Sequence, residues 1–317
     1  MIEMKTATFL LLQFAGRAAF AASPPFANFC DPFNGNASEV LWEASTNPPA
    51  SVKIFSVVPT KFSASTISNL LQLAELKPDQ RKRVNQTGVF AGKDVRFFAD
   101  KKETRQLNFV PSEGFIALNK TGVIAEIPRQ MPVGVPDDKE ALRLALDILQ
   151  KIGISQSELA TNLDGKIHLA YSEDGILHKD KPSGLLITNV VGREIKLTRQ
   201  IEGIPVWGGG VSAKFGNEGK LAYLSATWRT IKQQAVWPVP TATDFMARIK
   251  SGRVFIRSEQ AGLSFGKLTV KKVQLYYWEN DASEHQSTIY PFAVLEAESD
   301  LPGENSTAQL FVPLANE

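Results

Sequence analysis

Residues 193–229 read REIKLTRQIEGIPVWGGGVSAKFGNEGKLAYLSATWR and carry the most informative pattern in the chain. Ile195, Leu197 and Ile201 alternate with polar residues, which is the period of a half-buried strand. Glycines and a proline interrupt this alternation at residues 203–210, as expected at a corner or a bulge. The alternation then resumes, and a second glycine-containing turn predicts a hairpin.

Two short elements of this segment form a motif, namely Gly203-Ile-Pro-Val-Trp-Gly-Gly209 and the turn Asn217-Glu-Gly219 behind it. The motif resembles the fungalysin/thermolysin propeptide family, whose members carry a polar strand, this glycine-rich element and then a hairpin. The resemblance implies a protein that holds other proteins, not an enzyme. It indicates a partner-binding surface made of Gly203, Pro205, Trp207, Gly208, Gly209 and Gly210. An exposed Trp207 would serve as a rigid interface anchor, whereas strand aromatics more often fill a core.

The composition is that of an ordinary globular chain. Its 317 residues allow about two domains of roughly 150 residues each. Hydrophobic residues make up 43% and charged residues 21%, well outside the disordered class. Lys and Arg number 35 against 33 Asp and Glu. The net charge of +2 therefore indicates neither a nucleic-acid partner nor an anionic surface.

The first 21 residues, 1–21, are typical of an export signal. Lys5 provides a positive start, residues 8–12 an apolar run, and Ala19-Phe20-Ala21 a cleavage signature. We therefore expect an extracytoplasmic location, secreted, periplasmic or at the cell surface; the alternative is an uncleaved N-terminus. No later stretch approaches the ~18 apolar residues of a membrane helix, so no further span is expected.

Residues 22–50 are rich in Pro, Asn, Ala and Ser, which is typical of a leader or linker. This segment contains Cys30, the single cysteine of the sequence. A secreted chain with one cysteine has no internal disulfide, so its core must supply the stability. We interpret Cys30 as a free thiol in a flexible leader.

Hydrophobic periodicity predicts two units, residues 51–160 and 161–317. In the first, one helix is predicted over about residues 65–76 and another from Pro136-Asp137 to Gly153. In the second, a helix over about residues 243–251 and the two strands after it resemble a PepSY-type unit. The predicted fold class is α+β, with tandem units in which a helix covers one face of an antiparallel sheet.

Residues 115–127 and 211–224 have similar patterns, each with a glycine at the turn and an apolar-Ala pattern on the return strand. One interpretation is an internal duplication that relates the two units. The other is that any such hairpin needs a glycine for positive φ and alternation to bury one face. The sequence leaves both interpretations open.

The sequence gives no motif of a common enzyme class in the structural context that its chemistry needs. His168, His178 and His285 form no His-Glu-x-x-His or other pair at metal-ligand spacing, so the zinc protease that follows such propeptides is not expected. Gly262-Leu-Ser-Phe-Gly266 has the spacing Gly-x-Ser-x-Gly, but a nucleophile elbow needs a helix directly after the serine, and residues 267–278 are predicted to form a strand. Gly208-Gly209-Gly210 lacks the ending of a phosphate loop and leads into a strand. No catalytic residue, metal or cofactor is therefore predicted.

The turn Glu279–His285 combines carboxylates and an imidazole that could coordinate a cation. The alternative, which we favour, is a solvated hairpin tip rich in turn-forming Asn and Asp. Asp164-Gly165 and Asp174-Gly175 are likewise interpreted as turns and not as catalytic carboxylates.

Together these patterns predict a non-enzymatic extracytoplasmic binding protein. What the resemblance implies is an inhibitor, chaperone or regulator of a protein partner such as a secreted peptidase. Pairing of a sheet edge with a partner strand is one physical route to such binding. One alternative is a detached proregion or truncated fragment of a secreted metallopeptidase. Another is a hydrolase with scattered residues, which an acid–histidine pair in a cleft would reveal.

Overall fold

A computed structural model of the chain describes residues 30–45, 48–82, 92–124, 133–162, 164–179 and 184–314. The expected export signal, residues 1–21, lies outside them. Within the described residues the α-helices are α1 Ala64–Ala74, α2 Asp138–Ile152 and α3 Ala242–Lys250. In chain order the strands there are β1 Cys30–Pro32, β2 Asn36–Trp42, β3 Ser51–Val58, β4 Arg81–Lys82, β5 Arg96–Ala99, β6 Arg105–Val110, β7 Phe115–Lys120, β8 Leu169–Lys179, β9 Leu186–Ile201, β10 Ile204–Phe215, β11 Leu221–Thr227, β12 Thr230–Pro238, β13 Phe255–Arg257, β14 Ser264–Trp278, β15 Thr288–Ile289, β16 Pro291–Ser299 and β17 Thr307–Pro313.

The predicted fold class, tandem helix-on-sheet units of the α+β type, is wrong. The described part of the chain is mostly β, with 49% of it in strands, 21% in helical conformation, and three α-helices. Its strands form a mixed sheet of 14 strands and a three-stranded sheet, β12-β3-β15. Local periodicity identifies a strand but not its partner. The strands pair across long sequence separations, as β2 does in parallel with β14, so each helix does not cover a sheet of its own.

Two compact units divide the chain, and both are discontinuous in sequence. Unit 1 contains the described residues within Met1–Lys53, Val236–Leu275 and Tyr290–Glu317. Unit 2 contains those within Ile54–Ala235 and Tyr276–Ile289. This division differs from the expected boundary between residues 160 and 161.

Unit 1 is built on strands in the order β1-β13-β17-β16-β14, with β2 parallel to β14. Helix α3 begins at Thr241, whose hydroxyl accepts a hydrogen bond from the backbone N–H of Asp244. Phe245 of α3 is buried and stacks on Trp42 of β2, with ring centroids 5.8 Å apart. Cys30 lies in β1 and is buried, so the expected flexible leader around it is wrong.

Unit 2 is an antiparallel sheet in the order β8-β9-β10-β11-β7-β6-β5-β4. Helices α1 and α2 pack on the apolar side chains of its central strands and share one hydrophobic core with them. Asp137 caps α2 by accepting from the N–H of Glu140, and Gly153 ends it in the left-handed conformation. The helix predicted from Pro136-Asp137 to Gly153 is therefore confirmed, because both its caps and its apolar stripe are visible in the sequence.

The two similar hairpin patterns are not similar in structure. Residues 211–224 form a hairpin, since β10 pairs with β11. In the other pattern, β7 pairs with β6 before it and with β11. Val123 and Ile124 lie outside any strand, and residues 125–127 lie outside the described part of the chain. The similar pattern therefore arises because β7 is a strand with one buried face, and not because residues 115–127 form a second hairpin of the same kind.

Candidate functional site: a glycine corner and a free sheet edge

A two-residue hairpin turn, Glu202-Gly203, leads into the glycine corner, which comprises residues 203–210. Ile201 and Ile204 are paired across it, and its central residues, Glu202 and Gly203, both have positive φ, 51° and 81°. Positive φ at both central positions is the requirement of a type I′ turn, which matches the twist of the flanking strands. The positive φ that the turn requires therefore explains the glycine at position 203.

Past this turn, β10 changes its pairing partner. Pro205 still pairs with β9, but pairing with β9 resumes only at Gly210. In the interval, Val206 and Trp207 pair in parallel with Tyr277 and Trp278 of β14. The corner is thus the point where one strand leaves one ladder for another.

The three consecutive glycines allow close approach of backbone and carboxylate. A Cβ on Gly208 would lie 2.2 Å from the carbonyl oxygen of Glu279, and one on Gly209 would lie 2.0 Å from Oε2 of Glu279. A Cβ on Gly210 would lie 2.4 Å from the carbonyl oxygen of Leu197. All three distances are far below van der Waals contact, so no other residue fits without movement.

Against the corner lies a buried group of four charged side chains, Glu113, Arg199, Arg229 and Glu279. Oε1 of Glu279 accepts from the backbone N–H of Arg229 at 3.2 Å and from Nη1 of Arg199 at 3.5 Å. Nη2 of Arg229 donates to Oε2 of Glu113 at 3.2 Å. Two carboxylates and two guanidinium groups balance in charge, which is the condition for burying them.

Two cationic side chains, those of Arg229 and Lys93, donate hydrogen bonds to the backbone carbonyl oxygens of the Glu279–His285 turn. Arg229 donates to the carbonyl oxygens of residues 280, 281 and 284, at 2.7, 3.3 and 3.1 Å. Nζ of Lys93 donates to those of residues 282 and 283, at 3.1 and 3.0 Å. Five consecutive carbonyls therefore already face a guanidinium or an ammonium group. No group of three or more His, Cys, Asp or Glu side chains suited to a metal ion is found in the described residues.

Two polar side chains of the same turn, Asp281 and His285, have partners within the chain. The Ser283 backbone N–H and hydroxyl, which bond to the Asp281 carboxylate, hold the pKa of that carboxyl below its usual value. Nδ1 of His285 lies 3.6 Å from Oε1 of Glu113, and the His285 side chain is 77% exposed. This acid–histidine contact lies beside the Lys93 and Arg229 cations that already hold Glu113.

The six residues of the expected partner surface lie together along this corner, but they differ in exposure. Gly203 and Gly208 are exposed, Gly209 is buried, and the others are half-buried. The ring of Trp207 packs edge-on against Tyr276, with centroids 5.6 Å apart. Close approach of Glu279 to Gly208 and Gly209, and of the Leu197 carbonyl to Gly210, explains the glycine run without a partner. The assignment of these residues to a binding surface stays a prediction.

A second feature is the outer edge of β8, which the sequence does not reveal as an open sheet edge. Within the described residues β8 pairs with β9 alone, which leaves its other side open. The N–H of Thr198 donates to the carbonyl of His168 at 3.3 Å. Hydrogen bonding alternates along an antiparallel strand, so the N–H of Ser172 faces β9 whereas that of Glu173 faces away. The expected turn at Asp174-Gly175 is wrong, because a bulge lies there inside β8.

Beyond Arg193 the two strands β8 and β9 continue as a ribbon. Pairing of β10 with β9 reaches only as far as Arg193, whereas β8 pairs with β9 to Leu186. The ribbon carries exposed apolar side chains, with Leu177 61% and Leu186 69% exposed. Leu177 is opposite Thr188, so Leu177 and Leu186 lie on the same face. Large exposed apolar side chains grouped together are typical of interaction surfaces.

Comparisons with known proteins place the chain in no class. No protein-family model matches it, and a search of curated proteins finds no relative. Among solved structures it is similar to an uncharacterized protein from Eubacterium rectale ATCC 33656, whose crystal structure was determined at 1.45 Å. That similarity has a TM-score of 0.44 and 12% sequence identity, and it covers 87% of this chain and 86% of the other. Among the described helices, none has the length and apolar character needed to cross a membrane.

Proposed function

We propose that this chain is a non-enzymatic binding protein that works outside the cytoplasm, and that it holds an extended segment of a protein partner at β8. The observation that carries the proposal is that β8, an 11-residue strand, pairs only with β9 among the described strands. The export-type residues 1–21 and the propeptide-like motif support the location and the absence of catalysis. A secreted peptidase is the partner class that the propeptide resemblance suggests.

The open edge is suited to strand addition for a physical reason. Unpaired N–H and C=O groups along an edge strand bind another extended chain through main-chain hydrogen bonds. Edges are often protected from such pairing by bulges and lysines, and β8 has a bulge at Asp174-Gly175 and ends at Lys179, so an added strand would pair with the regular part before the bulge, residues 169–173. Here the edge runs into a ribbon with Leu177 and Leu186 exposed, which offers apolar contacts to alternate side chains of an added strand.

The test compares two substitutions of one residue, Glu173→Pro and Glu173→Ala. Proline removes the outward-facing N–H and blocks strand addition, whereas alanine keeps it. Both remove the ion pair of Glu173 with Arg193, so they are matched in charge. We expect the wild-type chain and Glu173→Ala to capture the same peptidase from the native secretome, and Glu173→Pro to lose it while its circular dichroism and urea midpoint stay close to those of Glu173→Ala.

Trp207→Ala serves as the third arm and separates the two candidate surfaces. Loss of capture with Trp207→Ala but not with Glu173→Pro would move the site to the glycine corner. Capture that neither substitution changes would reject both surfaces. A partner that is hydrolysed by the purified chain would reject the non-enzymatic assignment.

A further inference from the structure

The end of the ribbon formed by β8 and β9 has exposed apolar side chains on both of its faces. Leu177 and Leu186 share one face and are 61% and 69% exposed. Ile187 follows Leu186 in β9 and therefore points to the opposite face, where it is 39% exposed. Leu185, which is 65% exposed, continues the apolar run. Residues 186–188 are all exposed, so the described part of the chain covers neither face at this point.

This end of the ribbon lies away from the packed part of unit 2. Val191 of β9 is still buried, and the strand runs five residues from there to Leu186, which corresponds to about 16 Å. Residues 175–177 and 184–190 contain no charged side chain. The exposed end is therefore apolar and uncharged, and it can touch another surface without the rest of unit 2.

The apolar area on each face favours a lipid surface over a protein partner. Leu177 and Leu186 together offer roughly 120–240 Å² of apolar area. A specific protein interface buries about 800 Å² on each partner. A flat partner surface, including that of a second copy of this chain, meets only one face of a ribbon at a time. A lipid surface surrounds an inserted ribbon and contacts both faces at once, without the need for a complementary shape.

We propose that the ribbon end, which comprises Leu177 and residues 185–188, inserts into the interfacial layer of a lipid bilayer, where headgroups meet acyl chains. Pairing of β10 with β9 reaches only to Arg193, so both outer edges of the ribbon end are open among the described strands. Open N–H and C=O groups do not enter the hydrocarbon core, but water and headgroups satisfy them in the interface. Insertion is therefore shallow, about 5–10 Å deep.

This inference goes beyond the proposed function and does not rest on it, because it assigns a lipid surface to the ribbon end and not a strand to the edge of β8. The test is flotation of the purified full chain with phosphatidylcholine vesicles. No protein partner is present, so the result is independent of any peptidase capture.

Three substitutions to threonine are compared. Leu186→Thr and Ile187→Thr each remove apolar surface from one face of the ribbon, and threonine keeps a high preference for strands. Val133→Thr is the matched control, because Val133 is a 65% exposed aliphatic residue of unit 2 that lies outside the ribbon. Circular dichroism and the urea midpoint establish that each variant is folded.

We expect the wild-type chain to float with these zwitterionic vesicles at about 0.15 M and about 0.5 M salt alike, because apolar insertion is not screened. Leu186→Thr and Ile187→Thr should each lower the partition coefficient about three- to tenfold, and Val133→Thr should stay within about twofold of wild type. The lack of flotation would overturn the proposal. So would an effect confined to one of the two faces, or binding seen only with anionic vesicles and lost at high salt.

Sedimentation velocity without lipid tests the alternative that the ribbon end is an interface between two copies of this chain. Wild type and Leu186→Thr should sediment alike, as monomers. A wild-type dimer that Leu186→Thr dissociates would assign these side chains to a protein interface and overturn the assignment to lipid.

Discussion

Gly209 faces the carboxylate of Glu279 so closely that a Cβ on Gly209 would lie 2.0 Å from Oε2 of Glu279. The φ of Gly209 is not in the left-handed region, so the requirement for glycine at this position comes from space alone. The corner and the buried carboxylate are therefore parts of one packed arrangement.

Gly209→Ala should destabilise unit 2. The added methyl must displace the buried Glu279 carboxylate, and overpacking of this kind costs about 1–3 kcal/mol. Gly262→Ala is the matched control, because Gly262 also lacks positive φ and nothing lies within 4 Å of its added Cβ. Urea unfolding should show a lower midpoint for Gly209→Ala only. Equal midpoints for the two variants would contradict the close packing at Gly209.

Arg229→Met should be among the most destabilising single substitutions in the chain. It leaves Glu113 and Glu279 buried with less positive charge, and breaking a buried pair costs about 3–5 kcal/mol. It also removes the donors that hold the carbonyls of residues 280, 281 and 284. Arg257→Met, at an exposed pair with Glu259, provides the comparison in the same urea assay. A loss below about 1 kcal/mol for Arg229→Met would mean that the network is not held together by this guanidinium.

The ion pair between Glu75 and Lys120 should make part of the stability dependent on acid. The hydrogen bond from Nζ of Lys120 holds the pKa of Glu75 below its usual value, although partial burial of the carboxyl opposes this. Because the folded pKa is depressed, the stabilisation is present above the unfolded value and is lost as pH falls through the folded value. Glu75→Gln should therefore be less stable than wild type near neutral pH by about 1 kcal/mol, discounted for the half-exposed carboxylate.

The difference between wild type and Glu75→Gln should shrink as pH falls below the usual glutamate range. Glu103→Gln is the control, because Glu103 pairs with Lys82 where both side chains are substantially exposed. Its effect should be small at every pH. A Glu75→Gln difference that persists unchanged in acid would show that the carboxylate charge is not the source of the stabilisation.

Cys30 should not react with iodoacetamide while unit 1 is folded. The side chain is buried, and burial raises the pKa of the thiol to about 12, partly offset by the charge of Arg257. At about pH 8 such a thiol is ionised in roughly one molecule in ten thousand, and only the thiolate reacts. Mass spectrometry should show one modification per chain in guanidinium and none in buffer. Rapid modification in buffer would contradict the placement of Cys30 in β1.

Helices could be predicted from the sequence better than the sheets. The limits of α2 follow from Asp137 and Gly153, because capping groups act on neighbouring residues and leave a local trace. The pairing of β2 with β14 leaves no such trace, since the two strands are far apart in sequence. The expected fold class was wrong for this reason.

In the candidate site too, local features could be predicted from the sequence, whereas contacts between distant residues could not. Arg199 shares the strand face of Ile195, Leu197 and Ile201, so a charged residue on an apolar face could have indicated a buried arginine. Its partner Glu279 lies in a polar turn and is typical of solvent-exposed sequence. The glycine run was recognised as a corner, but its reason, the approach of Glu279, depends on a contact between residues distant in sequence.

The interleaving of the two units has a consequence for the order in which the chain can be completed during synthesis. The last segment of unit 2 ends at Ile289, whereas unit 1 still needs Tyr290–Glu317. A ribosome therefore delivers every residue of unit 2 before it delivers β16 and β17, which separate β13 from β14 in the sheet of unit 1. During that interval β13 and β14 have apolar residues and open edges without their neighbours, the condition in which nascent chains aggregate or recruit chaperones.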